Sequence, residues 1–384
     1  MKKITLAAIV LTALVVSNTY SKKSENSKFK SLDLFNKVIY LVEKNYYKEV
    51  DFNSLIEGSL KGMLNSLDPH STFLDKNLFK KMRDDTEGEF GGIGIEVSFE
   101  RGILSIITAI EGTPAFDAGI HSGDLIIEIN HQNVVGYSLD KAVELMKGKI
   151  GEKLHIGVRR NNQKKLVHFD IVRKIIKIDP VKHRLVDGSY AVIRLVQFQK
   201  DSTRYVRKAL DSMRKKMNQD FNGYVLDLRG NPGGLLDEAV GVASLFLEKG
   251  VVVSTESRDP SVKDIRYVKK TVKKDLKTPL VVLIDNGSAS ASEIVAGAIQ
   301  DYKRGTIMGA QSYGKGTVQS ITPIGNDVAI KLTISEYLTP NKRKIDKLGI
   351  KPDKILPEIA SRKRNYLKDN QIDLAVKYLK TLKK

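Results

Sequence analysis

Residues 286–295 read NGSASASEIV, which puts three serines at alternate positions between an apolar run and a helical pattern. A serine hydroxyl becomes a nucleophile only when a neighbouring base takes its proton, and no histidine lies nearby. Ser288 falls in the loop, Ser292 in the first helical turn and Ser290 at the corner between them. Ser290 and Glu293 also make a Ser-x-x-Glu box, so capping the helix is the competing role for that hydroxyl. A base is available in QSYGKGTVQ (311–319), where Lys315 stands between two glycines that let the chain fold tightly around it. Lysine ordinarily titrates near about 10.4. To act as a base at neutral pH it must be lowered by roughly three, about 4 kcal/mol of lost preference for the charged form, which burial can supply. Gln319, four residues on, stands on the same side of a helical turn or the same face of a strand, where its amide oxygen can hold the amine. An oxyanion needs donors. The Ala291 N–H at the helix start is one, and Gly233 or Gly234 of NPGG (231–234) is another, although the same glycines also suit a plain strand-to-helix turn.

These residues need a scaffold that gathers strand ends. From about residue 175 the chain alternates strand, glycine loop and helix. GYVLDL runs into RGNPGG and then LLDEAVGVASLFLEKG, and PLVVLID runs into NGSAS and then ASEIVAGAIQDY. That alternation predicts an α/β core with its site beyond the strand ends. TIMGA, TVQSITPI and VAIKLTISEYLT supply further strands. Upstream, Leu34, Val38, Leu41 and Val42 recur at helical spacing. A second helix is expected from Ser54 with Glu57 completing a capping box, and a third near 76–86. LDPHS (67–71) breaks the second helix. It sets Asp68, His70 and Ser71 side by side, but three triad members cannot meet through near-consecutive positions, so it reads as a turn.

Residues 90–174 are short apolar runs punctuated by glycine, with one helix over SLDKAVELMKG (138–148) capped by Ser138 and stopped by Gly148. GTPAFDAGIHSGDLIIEIN (112–130) resembles the centre of a bacterial PDZ domain, and GGIGI (91–95) resembles that family's carboxylate-binding loop. Gly92, Ile93, Gly94 and Ile95 would offer backbone N–H groups as a nest for a terminal carboxylate. The strand that follows would accept an extended peptide along its edge, with Val143 and Met146 lining the other wall.

Taken together, LDPHSTFL, GEFGGIGIEV, DLRGNPGG, NGSASASEI, YGKGTVQ and GIKPD resemble the bacterial C-terminal processing peptidases, the tail-specific serine protease family. The likeness runs from about residue 30 to 357. It implies an α+β / α/β multidomain chain with a helical N-terminal region, a PDZ domain and a crotonase-like (ClpP/crotonase) α/β protease core. It implies Ser290 as nucleophile, Lys315 as general base 25 residues on, Gln319 as its orienting partner, and the NPGG glycines with Ala291 as oxyanion donors. It also suggests helix-mediated homodimers and envelope proteins as substrates. Three positions depart from the family pattern: Asp285 where Asn is usual, TPNKRKID (339–346) without its glycine and serine, and Lys147 where arginine is common.

The expected segments are a signal peptide or membrane anchor at 1–21, the helical region at 22–89, the PDZ domain at 90–174, the protease core at 175–357 and a basic tail or helix at 358–384. MKKITLAAIVLTALVVSNTYSKK has the basic, apolar, polar order of an export signal, and its apolar part is short for a span of roughly 20 residues. The expected location is therefore the periplasm or cell envelope, with the membrane near the N-terminus. The tail from 361 holds eight basic and two acidic residues, is expected to end in a helix and reads as a solvated basic face. The 384 residues carry a formal charge of +19, spread rather than clustered, and no nucleic-acid module accompanies it, so nucleic acid is not an expected partner. There is no cysteine, which excludes disulfides, thiol catalysis and a cysteine-borne lipid. His121, His131, His155 and His168 fall in the PDZ-like segment and His183 alone in the core. Their spacing gives no metal-ligand set, and neither metal nor cofactor is expected. The expected activity is exported serine endopeptidase, its PDZ groove capturing substrates with nonpolar free C-termini. The alternatives are a non-catalytic PDZ peptide-binding adaptor, which would be expected to lack the serine or the lysine, and a small-molecule acyl enzyme.

Overall fold

The computed structural model describes residues 29–382 apart from 101, 111, 161, 162, 164, 178, 218 and 358–368. The expected signal segment, 1–21, lies outside the described residues. The chain divides into two units, one of residues up to Asp75 with Ile321–Leu332, the other of Lys76–Ser320 with Thr333–Lys384.

In the first unit, residues 29–45 are helical and leave Leu34, Val38 and Leu41 exposed. The next helix is Phe52–Asn65, capped by Asp51, whose carboxylate accepts from Asn53 N and Ser54 N. The expected start at Ser54 is thus corrected. Asp51 lies three residues upstream, its carboxylate takes both N–H groups, and Ser54 donates its own hydroxyl to it at 2.7 Å. LDPHS is a turn built on Asp68, which accepts from His70 N, Ser71 N and the Ser71 hydroxyl. The strand Thr72–Leu74 then pairs antiparallel with residues 329–331.

The second unit includes a helix, Lys76–Glu87, and two six-stranded sheets of opposite character. The first runs in the order Ile95–Glu100, Ile103–Ala109, Leu125–Ile129, Lys153–Arg159, Val167–Val172, antiparallel throughout. Alternation sends Leu154, Ile156 and Val158 into a dry core and His155 to the other face. The helix Leu139–Met146 is capped by Ser138, as its sequence predicts. Its C-terminal end is held by Arg173, which donates to the carbonyls of Leu145 and Met146 from a buried position. The chain enters and leaves this sheet through a two-stranded ribbon, Glu89–Gly92 against Lys174–Lys177.

The second sheet runs Val181–Val186, Tyr190–Leu195, Gly223–Asp227, Leu280–Ile284, Thr306–Gly309, Lys354–Ile355, and every pair after the first is parallel. Both faces are covered, as a parallel sheet requires. Ala191, Ile193 and Leu195 pack toward residues of the helices Ser202–Met217, Leu236–Ser244 and Ala291–Asp301. Tyr190, Val192, Val225, Val281 and Leu283 pack toward the C-terminal helix Asn370–Thr381. A helix is the expected end of the tail, but its reading as a solvated basic face is corrected. Ile372, Ala375, Val376 and Leu379 recur at helical spacing and are buried, and each large one contributes about 1.5–3 kcal/mol when covered. The lysines point away, so composition concealed the apolar stripe.

Candidate active site

Three consecutive parallel strands, Gly223–Asp227, Leu280–Ile284 and Thr306–Gly309, end on the same side of the sheet. They lead into NPGG, NGSAS and QSYGKG, so strand order alone brings together three motifs far apart in sequence. The loops are laced to one another. Asp285 Oδ1 accepts Gly230 N at 2.7 Å and Gly287 N at 3.0 Å, doing with a carboxylate what an asparagine oxygen would do there. Ala289 N donates to Asn231 O, and Tyr313 N to Ser288 O, each at 3.0 Å.

This lacing separates the three serines. Ser288 is fully buried, donates its hydroxyl to Leu228 O at 2.8 Å and accepts Asp285 N. Ser292, also fully buried, donates to Asn231 O at 2.9 Å. Both are engaged in structure. Ser290 is partly exposed and sits at φ 52°, ψ −111° at the start of the helix Ala291–Asp301. A side-chain-bearing residue in such a conformation costs about 1–3 kcal/mol and persists only where its surroundings enforce it. Glu293 N donates to the Ser290 carbonyl at 2.9 Å, and the Glu293 carboxylate accepts Ser290 N, so serine and glutamate form a capping box at the helix start. The box holds the corner, and Ser290 stays partly exposed there, unlike Ser288 and Ser292.

Glu293 is the residue whose weight the sequence did not reveal. It is fully buried, and its carboxylate accepts from Ser290 N at 2.8 Å, Lys315 N at 2.9 Å, Gly314 N at 2.7 Å and the Ser312 hydroxyl. Ser290 N and Lys315 N converge on the same oxygen, Oε2, so the serine corner and the lysine loop lie side by side. Burial pushes the Glu293 carboxyl above the ordinary range, against the pull of these donors. The sequence offered Glu293 only as the second half of a capping box.

Gly233 lies against this corner at φ 102°, and a Cβ there would stand 2.9 Å from Ser290 Cβ and 3.0 Å from Ala291 N. Its N–H is donated to Asn231 Oδ1 at 2.9 Å. Gly234, at φ 138°, leaves no room for a side chain, because a Cβ would fall 2.0 Å from Phe198 O. Ala291, first in its helix, has no intrahelical acceptor for its N–H. Lys315 is half-buried in the loop before the strand Thr317–Gly325. Gln319 lies on that strand, with its amide nitrogen donating to Thr317 Oγ1 at 2.7 Å and facing Thr333 Oγ1 at 3.5 Å.

Beneath the NPGG loop, Arg229 is fully buried between Asp227 and Asp369, each at 2.8 Å, and donates to Gln371 Oε1 at 2.7 Å. Burial works against its charge, and the two aspartates more than offset it, holding the guanidinium's pKa above its usual value. The C-terminal helix is thereby tied to the loop through its own N-cap, Asp369.

In the antiparallel sheet, Gly92 and Ile93 are buried, and the carbonyls of Ile93 and Gly94 accept Ala115 N and Ile110 N. Gly94, at φ 80°, has no space for a Cβ because Thr113 fills it. Ile95 begins the edge strand. Val143 is half-buried and lines a cleft with Leu78, Lys81 and Asp84 of the preceding helix. Met146 is corrected from groove wall to core, where it is 6 % exposed. Lys147 lays its ammonium 4.7 Å from the centre of the Phe90 ring.

Residues 189–356 match Peptidase family S41, residues 91–171 match the PDZ domain, and residues 10–78 match the Activating protease CtpB N-terminal domain. The chain is 41% identical over 357 residues to a carboxy-terminal-processing protease of Bartonella bacilliformis, covering 92% of this chain and 82% of that one. It is 33% identical over 353 residues to the carboxy-terminal processing protease CtpA of Bacillus subtilis, covering 90% and 74%. A solved S41 protease from Bacteroides fragilis shares the fold at 15% identity, with a TM-score of 0.53 over 90% of this chain and 97% of that one. The chain belongs to the carboxy-terminal processing proteases of peptidase family S41, a serine-type peptidase of mixed α and β architecture that carries a PDZ domain.

Proposed function

We propose that this peptidase cleaves near the C-termini of exported proteins by a Ser290–Lys315 acyl-enzyme mechanism. The observation that carries the reading is the partly exposed Ser290 in its strained corner, beside a lysine loop pinned to the same buried carboxylate, while Ser288 and Ser292 are engaged elsewhere. Lys315, neutral, takes the Ser290 proton as Oγ attacks the scissile carbonyl carbon. The tetrahedral oxyanion is stabilised by Ala291 N–H and by an N–H of the Gly233–Gly234 turn, with Gly233 releasing Asn231 if it is the donor used. The C–N bond breaks, the lysine returns its proton to the leaving amine, and water then releases the acyl group from Ser290. Gln319, on the strand that follows the lysine, turns its amide oxygen to the amine.

The PDZ domain supplies selectivity. The nest at Gly92–Ile95 receives a terminal carboxylate, and the edge of Ile95–Glu100 receives the extended tail, with Val143 on the opposite wall and nonpolar end residues favoured. Tethering raises the local concentration of the chain at Ser290, so a weak groove suffices. The proposed domain limits are 90–174 and 175–357. The N-terminal segment 1–21 exports the chain to the envelope and keeps it near the membrane. The exposed Leu34, Val38 and Leu41 on the first described helix support a homodimer. Among the described residues no helix is long and apolar enough to cross a membrane.

The test is the cleavage rate of an unfolded protein with a nonpolar C-terminus. Ser290→Ala and Lys315→Ala should each lower kcat by about 10⁴-fold or more, and amidating the substrate's C-terminus should raise KM with little change in kcat. Either variant cleaving at the parental rate overturns the mechanism, and indifference to the amide overturns the capture role.

A further inference from the structure

Four of the six histidines lie in the PDZ segment, and strand register gathers three of them on one patch that linear spacing did not show. Glu128, Gly157 and His168 stand opposite one another on three adjacent strands. His155, two residues before Gly157, projects from the same face and pairs with Asp170. Glycine at 157 opens the patch. A Cβ there would stand 3.1 Å from Glu128 Cβ and 3.2 Å from both Glu128 Oε2 and His168 Cε1. With that space clear, His155 Nε2 comes to 3.1 Å from His168 Nδ1, and Glu128 Oε2 to 3.9 Å from the same nitrogen. One ligand atom from each of Glu128, His155 and His168 lies within 4.8 Å of the others. Asp170 Oδ1 holds His155 Nδ1 at 2.8 Å, which fixes the ring and turns Nε2 toward the patch. His131, on the turn between strands, stacks on His155 with ring centres 3.9 Å apart and closes that flank.

We propose that Glu128, His155 and His168 form a binding site for one divalent cation of the zinc type on the outer face of the PDZ sheet. Two imidazoles and one carboxylate suit zinc, cobalt, nickel or copper, whereas calcium and magnesium demand oxygen ligands. Donors about 2.0–2.2 Å from a tetrahedral zinc lie a little over 3 Å from one another. The His155–His168 separation already meets that, and the Glu128 side chain has only to close slightly. The fourth position faces solvent and takes water or a donor from another molecule. The site joins the strands Leu125–Ile129, Lys153–Arg159 and Val167–Val172, the last of which is the edge opposite the strand Ile95–Glu100. The cation therefore cross-links the sheet away from the peptide edge and takes no part in peptide hydrolysis.

The test uses full-length protein without an affinity tag, stripped with chelator and titrated calorimetrically with zinc chloride. Metal content is measured by mass spectrometry after desalting. The expected result is one zinc per chain, no heat with magnesium chloride, a zinc-dependent rise in Tm, and at least about tenfold weaker binding in His168→Ala and Glu128→Gln. His168 is half exposed, so its variant is expected to fold, and circular dichroism checks it. If His168→Ala nevertheless unfolds, His168→Gln replaces it. Absence of stoichiometric zinc from the parent protein, or equal uptake in the folded variants, overturns the site.

Discussion

The two six-stranded sheets of the larger unit use backbone in opposite ways. The PDZ sheet is antiparallel and ends in an edge strand, Ile95–Glu100, whose outer side can accept another strand. The core sheet is parallel, covered on both faces, and directs three loops from adjacent strand ends into one place. The first geometry suits holding an extended chain by its main chain. The second suits converging a few groups on one bond. Both rely on glycines at positive φ where a neighbour fills the space of a side chain: Thr113 at Gly94, and Ser290 with Ala291 at Gly233. Binding and chemistry should therefore separate under mutation, core changes acting on kcat or on folding and PDZ changes on KM.

The largest expected effect is on folding of the core. Arg229→Ala leaves Asp227 and Asp369 buried opposite a lost cation and should cost about 3–5 kcal/mol, read as a fall in urea midpoint. Removing the C-terminal helix should cost at least as much, whereas a solvated tail would cost nothing. Gly233→Ala comes next. A Cβ 2.8 Å from Ala289 O and 2.9 Å from Ser290 Cβ must displace the serine corner, so kcat should fall by at least about tenfold while KM for a tailed substrate changes little. Gly94→Ala sharpens the contrast from the other side. It should raise KM several-fold for a substrate with a free C-terminus and leave kcat near the parental value, as steady-state kinetics on the same substrate will read.

Much of this division is legible in the sequence, because strand–glycine–helix alternation and the Ser138 cap are local signals that tertiary packing did not override. Which serine is available was not local. Ser288 and Ser292 are engaged by carbonyls of Leu228 and Asn231, some sixty residues away, and only strand order brings those within reach. Glu293 was hidden by its own motif, since a capping-box glutamate and a buried hub for two loops are written with the same letters. The burial of the C-terminal helix was hidden by its lysines, which lie on the face away from Ile372, Val376 and Leu379.

Glu293 provides the smallest effect and a pH signature confined to the core. Its folded-state pKa is raised above the unfolded value. Its contribution is therefore fully present below the unfolded carboxyl pKa and is lost as pH rises through the folded one. Urea midpoints of the parent relative to Glu293→Gln should decline from about pH 4 upward, since the variant cannot titrate there. Parallel curves would remove the buried carboxylate from the account.

The most direct measurement of the central claim is peptide mapping of the protein after reaction with a serine-directed phosphonate. The adduct should lie on Ser290 in the parent and be lost in Lys315→Ala, with Ser288 and Ser292 unlabelled in both. An adduct on Ser288 or Ser292, or labelling of Ser290 that is undiminished without the lysine, would contradict the account.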